Sequence, residues 1–241
     1  IAKQKNLSLV VGSESLFGQE YFNHSLLGVQ FRLPRVGSFG LSIEDFSVDY
    51  SGNSLSKETA IGIHQGIMLS SDRNSTISFG YSIKSYTVDY GSTAGVTGDG
   101  SDGIDLGSQS SLGIDIGLLA SLAERIRFGA KAFNINSPTI GDANSAVRLP
   151  QRAQVGISFS PYDLVWTTAA LTKSSGHPTH FHGGMSYHIL DNIFLRAGVM
   201  TNPNRFATGF EILVKKIRIN YAFMTHPVLP LSHQISIEAV R

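Results

Sequence analysis

Ile61-Gly62-Ile63-His64-Gln65-Gly66-Ile67-Met68-Leu69, then Asp72-Arg73-Asn74-Ser75, then Ile77-Ser78-Phe79-Gly80-Tyr81-Ser82-Ile83-Lys84 reads as a strand, a polar turn and a second strand. Side chains alternate between the two faces of a strand. One face of this hairpin is therefore Ile61, Ile63, Gln65, Ile67 and Leu69 followed by Ile77, Phe79, Tyr81 and Ile83. The other carries Gly62, His64, Gly66 and Met68 followed by Ser78, Gly80, Ser82 and Lys84. The first face suits an apolar medium, and the second is small, polar and sparsely charged.

The same scheme recurs along the chain. Leu112, Ile114, Ile116 and Leu118 oppose Gly113, Asp115 and Gly117. Val155, Ile157 and Phe159 oppose Gln154, Gly156 and Ser158. Ile193, Leu195, Ala197 and Val199 oppose Phe194, Arg196 and Gly198, and Ile217, Ile219, Tyr221 and Phe223 oppose Arg218, Asn220 and Ala222. A soluble sandwich also alternates, but its outward face is rich in Lys, Glu and Thr. A small, weakly charged second face fits the lumen of a transmembrane barrel better.

Composition agrees. Hydrophobic residues make up 41% of the 241 residues, charged residues only 15%, and there are 25 glycines. Ordinary soluble domains carry about 25% charge. The net charge of +1 gives no field to recruit nucleic acid, which is excluded as an expected partner. The absence of cysteine removes disulfides, thiolate metal sites and cysteine nucleophiles. No apolar run reaches the ~20 residues of a spanning helix, so a membrane-crossing chain must cross with strands. The sequence opens at Ile1, and the expectation is a processed chain whose signal peptide, if any, has been removed.

Alternating segments fall at 6–13, 26–33, 38–50, 59–70, 76–90, 111–121, 126–136, 151–160, 164–174, 179–189, 193–201, 205–214, 217–226 and 232–241. The expected fold is all-β, one transmembrane antiparallel barrel domain of about fourteen strands over 1–241. The connections alternate in length. Tight links fall at Pro34–Gly37, Asp72–Ser75, Ala123–Arg125, Pro161–Asp163, Asp191–Asn192 and Lys215–Lys216. Longer Gly/Ser/Asn/Pro-rich links fall at Glu14–Ser25, Ser51–Glu58, Gly91–Ser110, Ser137–Pro150, Ser174–Pro178, Thr201–Asn204 and Thr225–Leu231. Bacterial outer-membrane barrels have short periplasmic turns and longer outer loops. That parity places both termini in the periplasm. Around Trp166 the facing of 164–174 is open.

Charge on a lipid face is costly but tolerable in a wet, paired interior. The candidates for a polar lumen lining are His64, Lys84, Asp115, Arg127, Lys131, Arg152, His180, His182, His188, Arg196, Glu211, Arg218 and Glu238. His180, His182 and His188 share a face opposite Phe181, Met185 and Tyr187, with His177 nearby. Imidazoles at i and i+2 of one strand diverge, so a metal would need a second strand's ligand, for example His64. Polar lining is the expected role, with no metal and no cofactor. Gly98-Asp99-Gly100-Ser101-Asp102-Gly103-Ile104-Asp105 is oxygen-rich like a calcium loop but lacks the EF-hand spacing and bidentate Glu. It is read as an outer loop. Gly184-Met185-Ser186-Tyr187-His188 lacks the final Gly of a nucleophile elbow and lies mid-strand. No phosphate-binding glycine loop ending in Lys-Ser/Thr is present. No enzymatic activity is expected.

Phe194-Leu195-Arg196-Ala197-Gly198, Asn202-Pro203-Asn204-Arg205-Phe206-Ala207-Thr208-Gly209-Phe210, Ile219-Asn220-Tyr221-Ala222-Phe223 and Ser232-His233-Gln234-Ile235-Ser236-Ile237 resemble the C-terminal part of the PorV/PorQ-like outer-membrane proteins. Ser78-Phe79-Gly80-Tyr81-Ser82-Ile83-Lys84 is similar to an internal strand of that group. The resemblance implies a fourteen-stranded barrel related to the fatty-acid transporter FadL and an accessory role in type IX protein secretion.

Three functions compete. An accessory or scaffold barrel would use its loops and lipid-facing wall, with outer-membrane lipid and other outer-membrane or secreted proteins as partners. A FadL-like transporter of hydrophobic molecules would need an apolar interior, and the inward faces above are Gly, Ser, His and charged, which tilts the reading towards the scaffold. A soluble β-rich adhesin would need no detergent.

Overall fold

The computed structural model describes residues 7–50, 53–93, 95–98, 102–141 and 146–240. The strands are β1 (Ser8–Ser15), β2 (Phe22–Leu33), β3 (Gly37–Tyr50), β4 (Asn53–Ser71), β5 (Ser75–Asp89), β6 (Ser108–Leu122), β7 (Ile126–Phe133), the short β8 (Thr139–Ile140) and β9 (Val147–Arg148), β10 (Arg152–Tyr162), β11 (Val165–Ser174), β12 (Thr179–Leu190), β13 (Ile193–Met200), β14 (Arg205–Val214), β15 (Ile217–Met224) and β16 (Ser232–Val240). Sequence neighbours pair antiparallel throughout. β7 joins β10 across the connection that holds the β8–β9 pair, and β1 joins β16. The result is a closed barrel of fourteen strands. Closure removes the unpaired edge that an open sheet would present.

Burial runs inside out compared with a soluble domain. Among the described residues the buried hydrophobic side chain is Ile140, in the β8–β9 connection, whereas the buried polar ones include Ser38, Ser78, Ser82, Asp115, Glu211 and Ser232. Ile61, Ile63 and Leu69 on β4, Leu112 and Leu118 on β6, Val155 and Ile157 on β10, and Ile235 and Ile237 on β16 are exposed. Isolated surface leucines are ordinary, but a continuous apolar belt is not what a water-soluble monomer shows. Ile61 to Leu69, at ~3.3 Å per residue and a tilt of ~40°, covers roughly 20 Å, close to the ~25 Å apolar band of outer-membrane barrels.

Towards the rim that carries the long connections, the outer face turns polar. Thr59 donates to Asp45 at 2.7 Å, Lys57 pairs with Asp45 at 3.3 Å, and Thr87 and Ser110 lie 3.0 Å apart. This collar explains two differences from the sequence reading. β2 begins at Phe22 rather than 26, and β4 at Asn53 rather than 59. Their first turns of strand carry polar residues outward, so the apolar alternation that marks the belt is missing there although the backbone ladder continues.

The link read as a loop from Gly91 to Ser110 is also partly a ribbon. Ser92 bridges Asp105, Thr93 N–H donates to the Ile104 carbonyl at 3.0 Å, and Leu106 N–H donates to the Gly91 carbonyl at 2.9 Å. Residues 99–101 of the oxygen-rich Gly98–Asp105 segment lie outside the described residues, and the carboxylate of Asp102 is occupied locally. It accepts from Thr97 Oγ1 at 2.6 Å and from the Val96 N–H at 3.1 Å. Gly95 (φ +69°) is needed there, since a Cβ would stand 2.0 Å from Asp102 Oδ1. At the opposite rim the hairpins turn in two or three residues. Gly37 (φ +111°) leaves the first of these turns, where a Cβ would lie 2.5 Å from the Gly66 carbonyl. The start of β1 and the end of β16 lie at this short-turn rim, with Ser8 opposite Val240.

Candidate functional site

The register fixes what lines the lumen. Ser42 faces Gly62, Gly62 faces Lys84 and Lys84 faces Gly113 across three seams. Gly66 faces Gly80, and Gly80 faces Gly117. Gly129 faces Gly156, Gly184 faces Gly198, and Gly209 faces Ala222. Strand glycines thus collect on the inner face, while the outer face of the same strands carries Ile, Leu, Phe and Val. At Gly117, Gly129, Gly184 and Gly198 an added Cβ would meet nothing closer than 3.3 Å. Gly117 and Gly129 border the first of the cavities below and Gly198 the second. Close packing does not demand glycine there.

Two cavities occupy the interior. One, of about 450 Å3, is bordered by His64, Asp115, Arg127, Lys131, Gln154, Ser158 and Thr168 together with Leu119, Ala170 and the glycines Gly66, Gly80, Gly117, Gly129 and Gly156, and most of its surface is apolar. The other, of about 520 Å3, is bordered by Arg196, Glu211, Arg218, Asn220, Gln234, Ser236 and Glu238 with Gly198 and Gly209.

Apart from the His24, Glu14 and Glu44 group on β1–β3, the charged lumen residues sort into two networks on opposite sides. On β13–β16, Glu211 is 4% exposed, accepts from Arg196 and forms an ion pair with Arg218, whose Nε lies 2.9 Å away, while Arg218 Nη1 donates to Glu238 at 2.6 Å. Two cations meet two anions, so this wall is balanced. On β5–β10, Asp115 is 1% exposed and receives Lys84 Nζ at 3.2 Å, Lys131 Nζ at 3.8 Å and the Asn134 N–H at 3.0 Å. Arg152 stands over the Phe133 ring at 3.9 Å, and Lys131 lies 4.0 Å from the same centroid. Arg127 stacks on Trp166 at 4.1 Å. This wall holds more positive charge than Asp115 can match.

His64 bridges two hydroxyls, 2.8 Å from Ser42 and 2.8 Å from Ser82. It belongs to the β3–β5 wall and is not brought to His180 and His182, whose rings lie 6.5 Å apart on β12. His188 stacks on Phe194 at 3.9 Å near the short-turn rim. No group of three or more His, Cys, Asp or Glu suited to a metal occurs among the described residues.

Several lumen residues escaped the sequence reading. Trp166, left open, faces inward opposite Ser186. Phe133 sits at the end of β7, where alternation gives no clue to its cationic neighbours. His24, read as part of a loop, holds Glu14 at 3.0 Å and Glu44 at 3.1 Å. An aromatic cluster gathers at the long-connection rim: Phe22 packs against Phe17 at 6.4 Å and Phe46 at 6.1 Å, and Phe17 against His226 at 5.3 Å. An alternation-based signal could have found His24 and Phe46, which share β2 and β3 with recognised strand residues. Phe17 and His226 lie in connections and carry none.

No protein-family model matches the chain, and no curated protein sequence matches it. Solved structures do. The Pseudomonas putida toluene transporter TodX superposes with a TM-score of 0.57 at 10% identity, over 98% of this chain and 88% of that one. The Acinetobacter baumannii outer membrane protein Omp33 gives 0.57 at 7% identity over 100% of both chains. A Pseudomonas aeruginosa FadL homologue gives 0.54 at 12% identity over 98% and 89%. At such identities the likeness is one of fold: the chain is an all-β closed barrel of the kind found in outer-membrane proteins.

Proposed function

We propose that the protein is a non-enzymatic barrel of the bacterial outer membrane that passes small water-soluble molecules through its lumen. In this reading the apolar belt meets lipid, the short-turn rim with both ends of the barrel wall faces the periplasm, and the long connections face outward. The observation that carries it is the glycine-rich inner wall, which leaves cavities where charged and polar side chains stand among apolar and glycine surface. A barrel serving only as a scaffold gains stability by filling its interior with side chains to native density. Here the positions facing open space are kept free of them. The TodX and FadL-type neighbours support transport over the secretion-accessory role that the PorV/PorQ resemblance implies.

A second reading, passage of hydrophobic molecules, is favoured by the Phe17, Phe22 and Phe46 cluster at the outer rim and by the toluene that TodX transports. Purified protein in liposomes separates the two. Swelling in small sugars is expected. Toluene uptake without sugar entry would move the assignment to the second reading, and neither, together with a stoichiometric protein partner in mild detergent, would return it to the scaffold.

A further inference from the structure

We propose that Lys84, Lys131 and Arg152, gathered at Phe133 in the outer half of the lumen, form a binding site for a small oxyanion dianion, of which phosphate is the simplest. The site selects anions in the conduit, and so it rests on the transport reading above.

The residues come together for reasons visible in the ladder. Phe133 continues the register that sets Ala132 opposite Ile116, which brings it beside Asp115, and it directly faces Arg152 on β10. Lys131 precedes it by one inward step on β7, and Lys84 lies one inward step beyond Ser82, the direct partner of Asp115. Three cations from three strands therefore share one ring, with Lys84 5.8 Å, Lys131 4.0 Å and Arg152 3.9 Å from its centroid.

Asp115 organises the site without neutralising it. Its buried carboxylate forms ion pairs through one oxygen, Oδ2, with Lys84 at 3.2 Å and Lys131 at 3.8 Å, and the Asn134 N–H donates to the other. Asp115 is the one carboxylate in ion-pair contact with these cations, serving Lys84 and Lys131, while Glu44 on β3 is engaged by His24. Arg152 has no carboxylate partner among the described residues, and Lys131 borders the cavity of about 450 Å3. An aromatic face attracts cations but cannot cancel their charge. Ammonium and guanidinium donors converging from different strands suit an acceptor with oxygens on several sides, and a phosphate offers them. The opposite wall carries no such surplus, because Arg196 and Arg218 are matched by Glu211 and Glu238.

Planar-bilayer recording of the full chain in a potassium chloride gradient reads the site and the conduit separately. The expected result is a reversal potential favouring chloride, with chloride current reduced saturably by inorganic phosphate. In Lys131→Gln/Arg152→Gln the selectivity should collapse towards unity and the phosphate midpoint should rise at least about tenfold, as loss of charged hydrogen bonds implies. Lys131→Arg/Arg152→Lys should retain both properties, and Lys57→Gln on the outer collar should leave them unchanged.

Conduction with no anion preference, or phosphate block unaffected by the double glutamine variant, would overturn the site and leave the conduit standing. If no current flows, the transport reading falls. Calorimetric titration of detergent-solubilised protein with phosphate then decides the site: binding weakened by the double variant supports it, and no binding overturns it.

Discussion

Gly129 of β7 and Gly156 of β10 face each other across a seam that bridges the chain's long 134–151 connection. Their surroundings differ. A Cβ at Gly129 would find its nearest neighbour at 3.9 Å, whereas one at Gly156 would meet Ala170 Cβ at 3.0 Å and the Ala169 carbonyl at 3.2 Å. Gly129→Leu should therefore fold normally and cut conductance severalfold by filling the lumen. Gly156→Leu should lose about 1–3 kcal/mol by overpacking. Single-channel conductance together with heat-modifiable gel migration checks the pair, and equal conductance in Gly129→Leu and the parent would contradict a glycine-lined passage.

Glu211 is the shared ion-pair partner of Arg196 and Arg218. Glu211→Ala leaves two guanidinium groups facing one another, with only Glu238 to serve them. A loss of about 1–3 kcal/mol is expected for charged donors deprived of an acceptor, towards the lower end because both arginines retain solvent contact. Urea unfolding in lipid vesicles measures it. Replacing Arg196 and Glu211 together by Met should recover part of the loss, as removing both members of a pair costs less than removing one.

Ile63 is 57% exposed in the middle of the outer belt, and Thr59 lies in the polar collar above it. Ile63→Arg should destabilise the vesicle-embedded barrel by about 2–4 kcal/mol, the cost of Arg at the bilayer midplane, and Thr59→Arg by about 0–1 kcal/mol. Equal effects would mean that the belt does not lie in lipid.

The Asp102 carboxyl is held below the usual carboxylate range, first by the Thr97 hydroxyl and then by the Thr97 and Val96 N–H groups. A lowered folded value means that its contribution to the order of the 95–98 turn is complete above the ordinary carboxylate range and disappears as the pH falls through the lowered value. Amide exchange at Val96 and Thr97 should accelerate over that acid interval in the parent. In Asp102→Ala it should be fast at every pH.

Much of the fold was legible because a barrel with an apolar outer belt imposes a simple code. Ile61, Ile63, Ile67 and Leu69 announce a strand without reference to its partners, and the alternation of Asp72–Ser75 turns with long links fixes parity. The code fails where the apolar belt ends. Phe22–Ser25 and Asn53–Glu58 are strand, but apart from Phe22 and Leu55 their residues are polar, so no apolar alternation marks them. In the lumen, sequence could place Lys84, Asp115, Lys131 and Arg152 on one face. Their convergence on Phe133 depends on shear between strands far apart in the chain, which no local pattern encodes.

The seam from Ser8 to Val240 has a kinetic side. It is among the most non-local pairings this wall contains, and topologies closed by such pairings fold slowly because the loop entropy is lost before the contacts form. All the hairpins can form from local information, but the cylinder cannot shut until β16 is available. Closure of β1 on β16 is thus the natural slow step of assembly, and a permuted chain reopened between Lys215 and Lys216 would move that step to a different seam while keeping the same wall.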